Sequence, residues 1–243
     1  MRETATRLES FYASPLGMAA RDMAFRRLST LWPDLAGHNV LGFGYGWPYL
    51  QPYEATANRL VLAMPDGQGA IAHQGKRGVA TVLTDGCALP FSDATFDNVL
   101  AIHAVEEAES VPRLLAELYR VLVPEGRIVV IAANRAGMWA RSDHLPFGGG
   151  RPYSKRQLRQ VLGQAGFVPT VNSNALYVPP SKFLAKPRLV MGAERFGETV
   201  WPGFSGLVLV EAIKRLYAPS DKGLTEKVAR PSFAGMPAMN KVK

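Results

Sequence analysis

The chain has 243 residues, of which 47% are hydrophobic and 20% charged, and this composition excludes an intrinsically disordered protein. The formal net charge of +8 would suit an anionic partner such as a nucleic acid. Residues 220–243, however, carry five basic and two acidic side chains, so they supply +3 of that charge beyond the main run of predicted elements. A solubilising surface charge is therefore favoured, and nucleic-acid binding is the less favoured alternative.

Cysteine content and hydropathy exclude further classes of protein. The single cysteine, Cys87, cannot form an internal disulfide framework or a zinc site with several cysteine ligands. The longest apolar runs are far shorter than the roughly 20 residues that span a bilayer, and the opening segment has no apolar run of signal-peptide length. No histidine and carboxylate cluster has metal-ligand spacing. We therefore expect a cytoplasmic protein with no membrane partner and no metal site.

Helix and strand patterns alternate along the chain. Ser14 and Pro15 predict a helix over 15–31, since serine is a favoured N-cap and proline suits the first helical position. This helix belongs to an N-terminal helical cap, residues 1–36. Later helices are predicted between Ser110 and Pro124 and from Ser154 to Gly166. Strands are predicted at 40–43, 60–64, 80–84, 98–105, 127–133, 170–178 and 206–213.

The order of these elements predicts an α/β fold with a doubly wound, mainly parallel sheet of seven strands. The strands read as continuous apolar runs separated by helices, which is typical of a parallel sheet covered on both faces. The last two strands are separated by a long excursion, and an antiparallel strand at that edge fits them. We expect one domain over residues 1–218 and a flexible basic tail over 219–243, which holds proline, glycine and serine without a sustained period.

Closely spaced glycines follow the first predicted strand, in the run Gly42-Phe43-Gly44-Tyr45-Gly46. Glycine lets a backbone turn sharply and approach a ligand without a Cβ clash. In an open α/β sheet, ligands bind in the crevice beyond the carboxyl ends of the strands. A short glycine motif also serves plain turns, so ligand binding and a structural turn both stay open on this segment alone.

A second segment joins two strands through a loop that begins with an acid, Thr84-Asp85-Gly86-Cys87, and continues through Leu-Pro-Phe at 89–91. A carboxylate at a strand end can accept a hydrogen bond from an exocyclic amine, and the apolar residues can pack around a ligand. A solvated turn acid beside core-anchoring side chains is the competing interpretation.

Together these segments resemble the class I S-adenosylmethionine-dependent methyltransferases. The loop D-x-x-x-L-P-F-x-D-x-x-F-D-x-V stands at 85–99, and LLAELYRVLVPEGRIVV at 114–130 is similar to the family's helix, Pro-x-Gly turn and fifth strand. The resemblance covers residues 40–167. It implies the family's sheet with an antiparallel seventh strand, S-adenosylmethionine as cofactor, and methyl transfer. A nicotinamide-cofactor enzyme is a weaker alternative, which the Leu-Pro-Phe loop disfavours.

The resemblance also implies roles for individual residues around the cofactor. One group would line its methionine and ribose part: Phe43, Gly44, Tyr45 and Gly46. Asp85 would meet the adenine amino group, with the backbone of Gly86 and Cys87 beside the ring. His103, near the end of the fourth strand, would face the sulfonium or the substrate; a structural histidine at a strand end is the alternative.

Three departures from the family pattern put cofactor binding in doubt. Gly42 stands where the family commonly has an acid, and Pro48 replaces the usual third glycine. The acid expected at the end of the second strand has no counterpart at Met64 or Pro65, and Asp66 is only nearby. A charged hydrogen bond contributes roughly 1.5–3 kcal/mol, so cofactor binding is either compensated elsewhere or weak or absent.

The substrate side carries fewer signals. Tyr12 and His103 are the candidates for a catalytic role, and packing is the competing role of Tyr12. Glu106 and Glu107 are expected in a solvated acidic turn, and the loop 135–152 is a candidate gate. Further aromatic candidates for a cap over the site are Trp47, Trp139, Phe147 and Tyr153.

The leading hypothesis is thus a methyltransferase acting on a small molecule, or on a protein or RNA group. The alternative is a non-catalytic relative that keeps the fold as a binding or regulatory module, with a protein partner.

Overall fold

A computed structural model describes residues 3–73, 75, 79–142, 144–180 and 204–215, and in these ranges helices alternate with strands. The helices are α1 (Ala5–Ala13), α2 (Pro15–Leu31), α3 (Trp47–Leu50), α4 (Val111–Val121) and α5 (Lys155–Gln164). The strands are β1 (Asn39–Gly44), β2 (Arg59–Pro65), β3 (Ala80–Thr84), β4 (Phe96–Ile102), β5 (Leu122–Ala133), β6 (Val168–Ala175) and β7 (Leu207–Ile213). Short 3-10 turns lie at Gln51–Tyr53, Asp66–Gln68 and Trp139–Arg141.

The strands form one seven-stranded sheet in the order β3-β2-β1-β4-β5-β7-β6. Neighbours from β3 to β5 pair in parallel, and β7 is antiparallel to both β5 and β6. Chain order reverses between β1 and β4, which is the switch point where doubly wound sheets bind ligands. The predicted doubly wound sheet and its antiparallel last strand are confirmed.

The central strands are apolar on both sides because helices cover both faces of the sheet. In β5, Val129 and Ile131 pack into one core, and Ile128 and Val130 pack into the other. The first core contains residues of α1 and α2, whereas the second contains residues of α4 and α5. This two-sided burial explains why the strands read as apolar runs rather than as alternating patterns.

Several predicted boundaries hold and others shift for local reasons. The helix at 15–31 and the strand at 80–84 are confirmed. The fourth strand ends at Ile102 instead of 105 because His103 adopts a φ of 51°. The preceding helix stops at Val121 and is not ended by the Pro-Glu-Gly turn. This turn lies inside β5, where Glu125 donates its N–H to the carbonyl of Lys214.

The N-terminal cap consists of two helices, because Ser14 interrupts the run. Its side chain accepts the N–H of Gly17 to cap α2, and Thr4 caps α1 by accepting the N–H of Arg7. The sequence did not indicate α1 as a separate helix.

No helix in the described ranges is both long and apolar enough to cross a bilayer. The predicted insert before the last strand falls mostly on 181–203, and the predicted tail on 219–243; both lie outside the described residues.

The ends of β1 and β4 meet at Gly44. This glycine has a φ of 83°, and a Cβ built on it would overlap the carbonyl oxygen of Ile102. That same oxygen accepts the N–H of Tyr45 at 3.2 Å. Gly44 is therefore needed for two reasons, its left-handed conformation and its contact with the neighbouring strand.

Replacing Gly44 by alanine tests this second reason against a matched control. Gly37 has a φ of 76°, but no atom lies within 4 Å of the position that a Cβ would take there, so Gly37→Ala carries only the conformational cost of about 1–2 kcal/mol. We expect Gly44→Ala to lower the free energy of unfolding by at least about 2 kcal/mol more, because β1 and β4 must separate. Urea denaturation measures both variants, and equal losses would contradict the close contact.

Candidate functional site

A hollow opens at the carboxyl ends of β1, β2 and β3, beside the loop that follows β4. Its open volume, counting the space that joins bulk solvent, is about 640 Å³. We call it the strand-end hollow. Its lining includes Phe43, Asp66, Asp85, Cys87, His103 and Glu107.

The turn after β3 forms one wall of this hollow. The Asp85 carboxylate accepts the N–H of Cys87 at 2.8 Å, which fixes the start of the turn. Behind it, the buried ring of Phe43 lies against Gly86, where an added Cβ would be 3.0 Å from the ring. Four of the predicted cofactor residues, from β1 and from this turn, therefore meet around one space; their binding role stays a prediction.

Arg120 holds the Leu-Pro-Phe loop in place, and the sequence did not indicate it. Its guanidinium donates to the carbonyl oxygens of Leu89 and Phe91, at 3.0 and 2.8 Å. It also pairs with Glu117, whose carboxylate accepts the N–H of Leu89 at 2.8 Å. The hydrogen bonds from Arg120 lower the pKa of Glu117. Because Arg120 lies on α4, the loop beside the hollow is fixed to a helix rather than left to solvent.

Polar side chains follow β2, although the acid that the family pattern predicts at the end of this strand is absent. Asp66 stands close in the sequence to the position where the family has that acid, and it lines the hollow. Gln68 is buried, and its amide donates to the carbonyl oxygen of His103 at 3.4 Å. Sequence reasoning missed Gln68, because a lone glutamine after a proline turn carries no motif signal.

His103 lies at the junction between the hollow and the N-terminal cap. It is buried, its Nε2 is 2.8 Å from the hydroxyl of Tyr12, and Phe147 stacks on its ring at 4.8 Å. Burial lowers the pKa of His103 to about 3, so its imidazole is neutral at pH 7. Burial also raises the pKa of Tyr12, whose hydroxyl lies 3.1 Å from that of Tyr49. The two catalytic candidates are thus brought into direct contact as uncharged groups.

The remaining predicted cofactor residues lie apart from the lining of the hollow. Tyr45 is buried, and the ring of Tyr12 stacks on it at 5.8 Å between centroids. Gly44 and Gly46, on either side of it, are buried as well. A Cβ at Gly42 would be 2.8 Å from Leu50 and 2.9 Å from Leu62, so apolar side chains fill the position where the family has an acid.

The expected solvated turn at Glu106 is wrong. Glu106 is 9% exposed, and its Oε1 accepts the N–H of Ala133 at the end of β5, at 2.8 Å. Burial raises the pKa of Glu106 to about 7. Glu107 is half-buried and accepts the N–H of Glu3 through both carboxylate oxygens, at 3.1 and 3.0 Å. The acids therefore tie the loop after β4 to β5 and to the chain's first described residue.

The other aromatic candidates are packing residues in this structure. Trp139 is buried and donates its indole N–H to the carbonyl of Val178 at 2.7 Å. Tyr153 is buried and donates to the carbonyl of Val105 at 3.4 Å, and Trp47 stacks on His73 at 5.0 Å. Phe147 alone among these four contacts a candidate catalytic residue, because it stacks on His103.

Comparison with known proteins adds an independent observation. Residues 41–130 match the family model described as a methyltransferase domain. A demethylmenaquinone methyltransferase from Symbiobacterium thermophilum is 47% identical over 47 residues, which are 19% of each chain. A probable S-adenosylmethionine-dependent methyltransferase from Mycolicibacterium smegmatis is 28% identical over 167 residues, or 62% of each chain. The chain therefore spans less than two thirds of the length of these relatives.

Solved structures match over a longer stretch. A methyltransferase from Thermotoga maritima, described as S-adenosylmethionine-dependent and as a possible histamine N-methyltransferase, has a TM-score of 0.62. The match covers 86% of this chain and 95% of that one, at 17% sequence identity. At this identity the likeness shows the fold, which the sheet order above already describes.

The neutral state of His103 is directly measurable. The pKa of His103 in the folded protein lies below its usual value near 6.5, so the unfolded chain takes up a proton first. The free energy of unfolding therefore falls as the pH drops from about 6.5 toward 3. We expect the ring signals of His103 to show no titration between about pH 8 and pH 5. Two-dimensional NMR of the histidine rings measures this, with His103→Gln to assign the signal. A midpoint near 6.5 would show that the Tyr12 contact leaves this ring open to water.

Proposed function

We propose that this protein binds S-adenosylmethionine and transfers its methyl group to an acceptor, since residues 41–130 match the family model described as a methyltransferase domain. The observation that supports the proposal is the strand-end hollow, which lies at the switch point of the sheet and is lined by both Asp85 and Phe43. When bound, the cofactor supplies a methyl carbon activated by a positively charged sulfonium.

The residues around the hollow fit the chemistry of an adenosyl group. An adenine ring has apolar faces and an amine edge, and Phe43 and Asp85 offer an apolar surface and a hydrogen-bond acceptor. Asp66, at the end of β2, offers a second carboxylate to the ribose hydroxyls. Among the described lining residues there is no lysine or arginine, whereas four are carboxylates, so the hollow favours a cationic ligand.

The chain's own contribution to the reaction is positioning and the exclusion of water. The cluster of Tyr12, Tyr49 and His103 is uncharged, so it adds no positive charge that would repel a sulfonium. Its buried rings keep water from the ends of β1 and β4. Holding two reactants in the correct orientation can supply a large part of the rate enhancement without a strong base.

A non-catalytic binding or regulatory role is the second candidate, and one observation favours it. Tyr12 stacks on Tyr45, and the turn from Gly44 to Gly46 lies outside the hollow's lining. Under this alternative the apolar packing around Gly42 replaces a cofactor contact, and S-adenosylmethionine binds weakly or not at all.

Calorimetric titration with S-adenosylmethionine and S-adenosylhomocysteine separates the two candidates. If the protein is an enzyme, we expect saturable heat with both ligands. We also expect Asp85→Asn to bind them about tenfold more weakly or worse, because a charged acceptor is lost. Asparagine keeps an oxygen for the N–H of Cys87, so the turn itself is preserved.

Asp34→Asn is the matched control, since Asp34 accepts the N–H of Ala36 in the same kind of turn but lies outside the hollow. We expect it to bind both ligands as the unmodified chain does. Absence of heat with either ligand in the unmodified chain would favour the non-catalytic role. Equal affinity in Asp85→Asn would show that the adenine lies elsewhere.

A further inference from the structure

The positive charge of the chain is concentrated in one stretch, residues 135–193. This stretch holds nine lysines and arginines and one acid, Asp143, so its net charge is +8. Residues 1–134 hold 11 basic and 14 acidic side chains, a net charge of −3, and residues 194–243 supply the remaining +3. One stretch therefore carries as much net charge as the whole chain, and the preceding half of the protein is weakly acidic.

Six of these cations lie in the described part of the stretch, and all six are exposed. We call them the cationic rim: Arg135, Arg141, Arg151, Lys155, Arg156 and Arg159. Within the described residues, none of their side chains forms an ion pair or a hydrogen bond. Charges that the fold does not neutralise are available to an anionic partner.

Backbone hydrogen bonds place the cationic rim at the carboxyl edge of the parallel strands. Tyr153 donates its N–H to the carbonyl of Ala133, the last residue of β5, at 2.9 Å, and Arg135 donates its N–H to the carbonyl of Tyr153 at 3.1 Å. The helix α5 begins two residues later, at Lys155. Its three cations fall within an arc of about 100° around the helix, so they share one flank beside the end of β5.

Two exposed apolar side chains lie at the same edge of the sheet. Met138 is 44% exposed and Phe204 is 57% exposed. Each is next in the chain to one of two touching residues, Gly137 and Ser205, since a Cβ added to Gly137 would overlap the carbonyl oxygen of Ser205. Two of the five large apolar side chains that are exposed in the described residues thus flank a single contact, rather than being scattered over the surface.

The combination of cations and apolar groups selects the kind of partner. A membrane with anionic lipids offers phosphates to the cations and a hydrocarbon boundary to Met138 and Phe204. A nucleic acid also offers phosphates, but it binds exposed side chains mainly by stacking on aromatic rings. The rings of Trp139, Phe147 and Tyr153 in this loop are buried, so they are closed to bases. The surface therefore fits a lipid partner better than a nucleic acid.

We propose that the cationic rim, together with Met138 and Phe204, docks this protein on the surface of an anionic membrane. The cations approach the lipid headgroups, and the two apolar side chains enter the boundary between headgroups and acyl chains. Docking of this kind needs no segment that crosses the bilayer. It therefore revises the expectation of no membrane partner, which the short apolar runs of the sequence suggested, and it does not depend on methyl transfer.

Co-sedimentation of the full chain with lipid vesicles tests the proposal. We expect the protein to bind vesicles made of equal parts of phosphatidylcholine and phosphatidylglycerol. We expect vesicles of phosphatidylcholine alone to bind it at least about tenfold more weakly, because they lack the negative surface charge. Rising salt concentration should release the protein from the anionic vesicles, because exposed charges are screened.

Two groups of substitutions separate the charge from the apolar contact. We expect Lys155→Gln, Arg156→Gln and Arg159→Gln together to weaken binding to the anionic vesicles about a hundredfold. We expect Met138→Ser with Phe204→Ser to weaken it about tenfold, because less apolar surface leaves water. All five side chains are exposed, and a thermal scan verifies that each variant keeps its fold.

Each group has a matched control elsewhere in the chain. Lys222→Gln, Lys227→Gln and Arg230→Gln together remove the same charge from the basic stretch 219–243. Leu83→Ser removes a side chain that is 52% exposed on β3, the strand at the far end of the sheet from β6. We expect both controls to bind the anionic vesicles as the unmodified chain does.

Three results would overturn the proposal. The first is no binding to the anionic vesicles, and the second is an equal loss in a variant group and its control. The third is tighter binding to a single-stranded RNA oligomer than to vesicles, with no effect of Met138→Ser and Phe204→Ser, which would identify a nucleic acid as the partner. Because no cofactor is present in these measurements, their outcome is independent of whether S-adenosylmethionine binds.

Discussion

The contact between Gly44 and the carbonyl of Ile102 determines the architecture of this site. Because Gly44 has no side chain, β1 and β4 can pair to their last residues. The two strands then turn apart, with left-handed backbones at Gly44 and at His103. The strand-end hollow opens beside this divergence, where Phe43 of β1, the turn after β3, the end of β2 and the loop after β4 line it. The proposed cofactor site is therefore a consequence of strand pairing at the switch point.

His103 couples this hollow to the N-terminal helices. Its hydrogen bond with Tyr12 and the stacking of Phe147 bury a histidine that stays neutral, so α1 closes this side of the site with uncharged groups. Beyond the pair of His103 and Tyr12, Glu106 links the loop after β4 to the end of β5. The loop after β4 thus lines the proposed cofactor site and joins it to β5.

The sequence predicted the sheet well because its signals are local. Apolar runs bounded by turns located the strands, and Ser14 with Pro15 located α2. The loop at 85–99 and its family resemblance pointed to Phe43 and Asp85, which the structure brings together. The burial of Glu106, the clamp by Arg120 and the stacking of Tyr12 on Tyr45 join residues that are far apart in the chain. Such contacts leave no periodic pattern in the sequence. Two adjacent glutamates therefore indicate a solvated turn unless the position of the neighbouring strand is known.

Cofactor binding by this protein requires a nucleoside-sized space in the strand-end hollow, which Phe43 and Asp85 both line. A crystal structure of the protein grown with S-adenosylhomocysteine tests this directly. We predict the adenine against Phe43, with its amino edge at the Asp85 carboxylate and its ribose toward Asp66. Density for the ligand at any other position, with the strand-end hollow filled by protein side chains, would contradict this prediction.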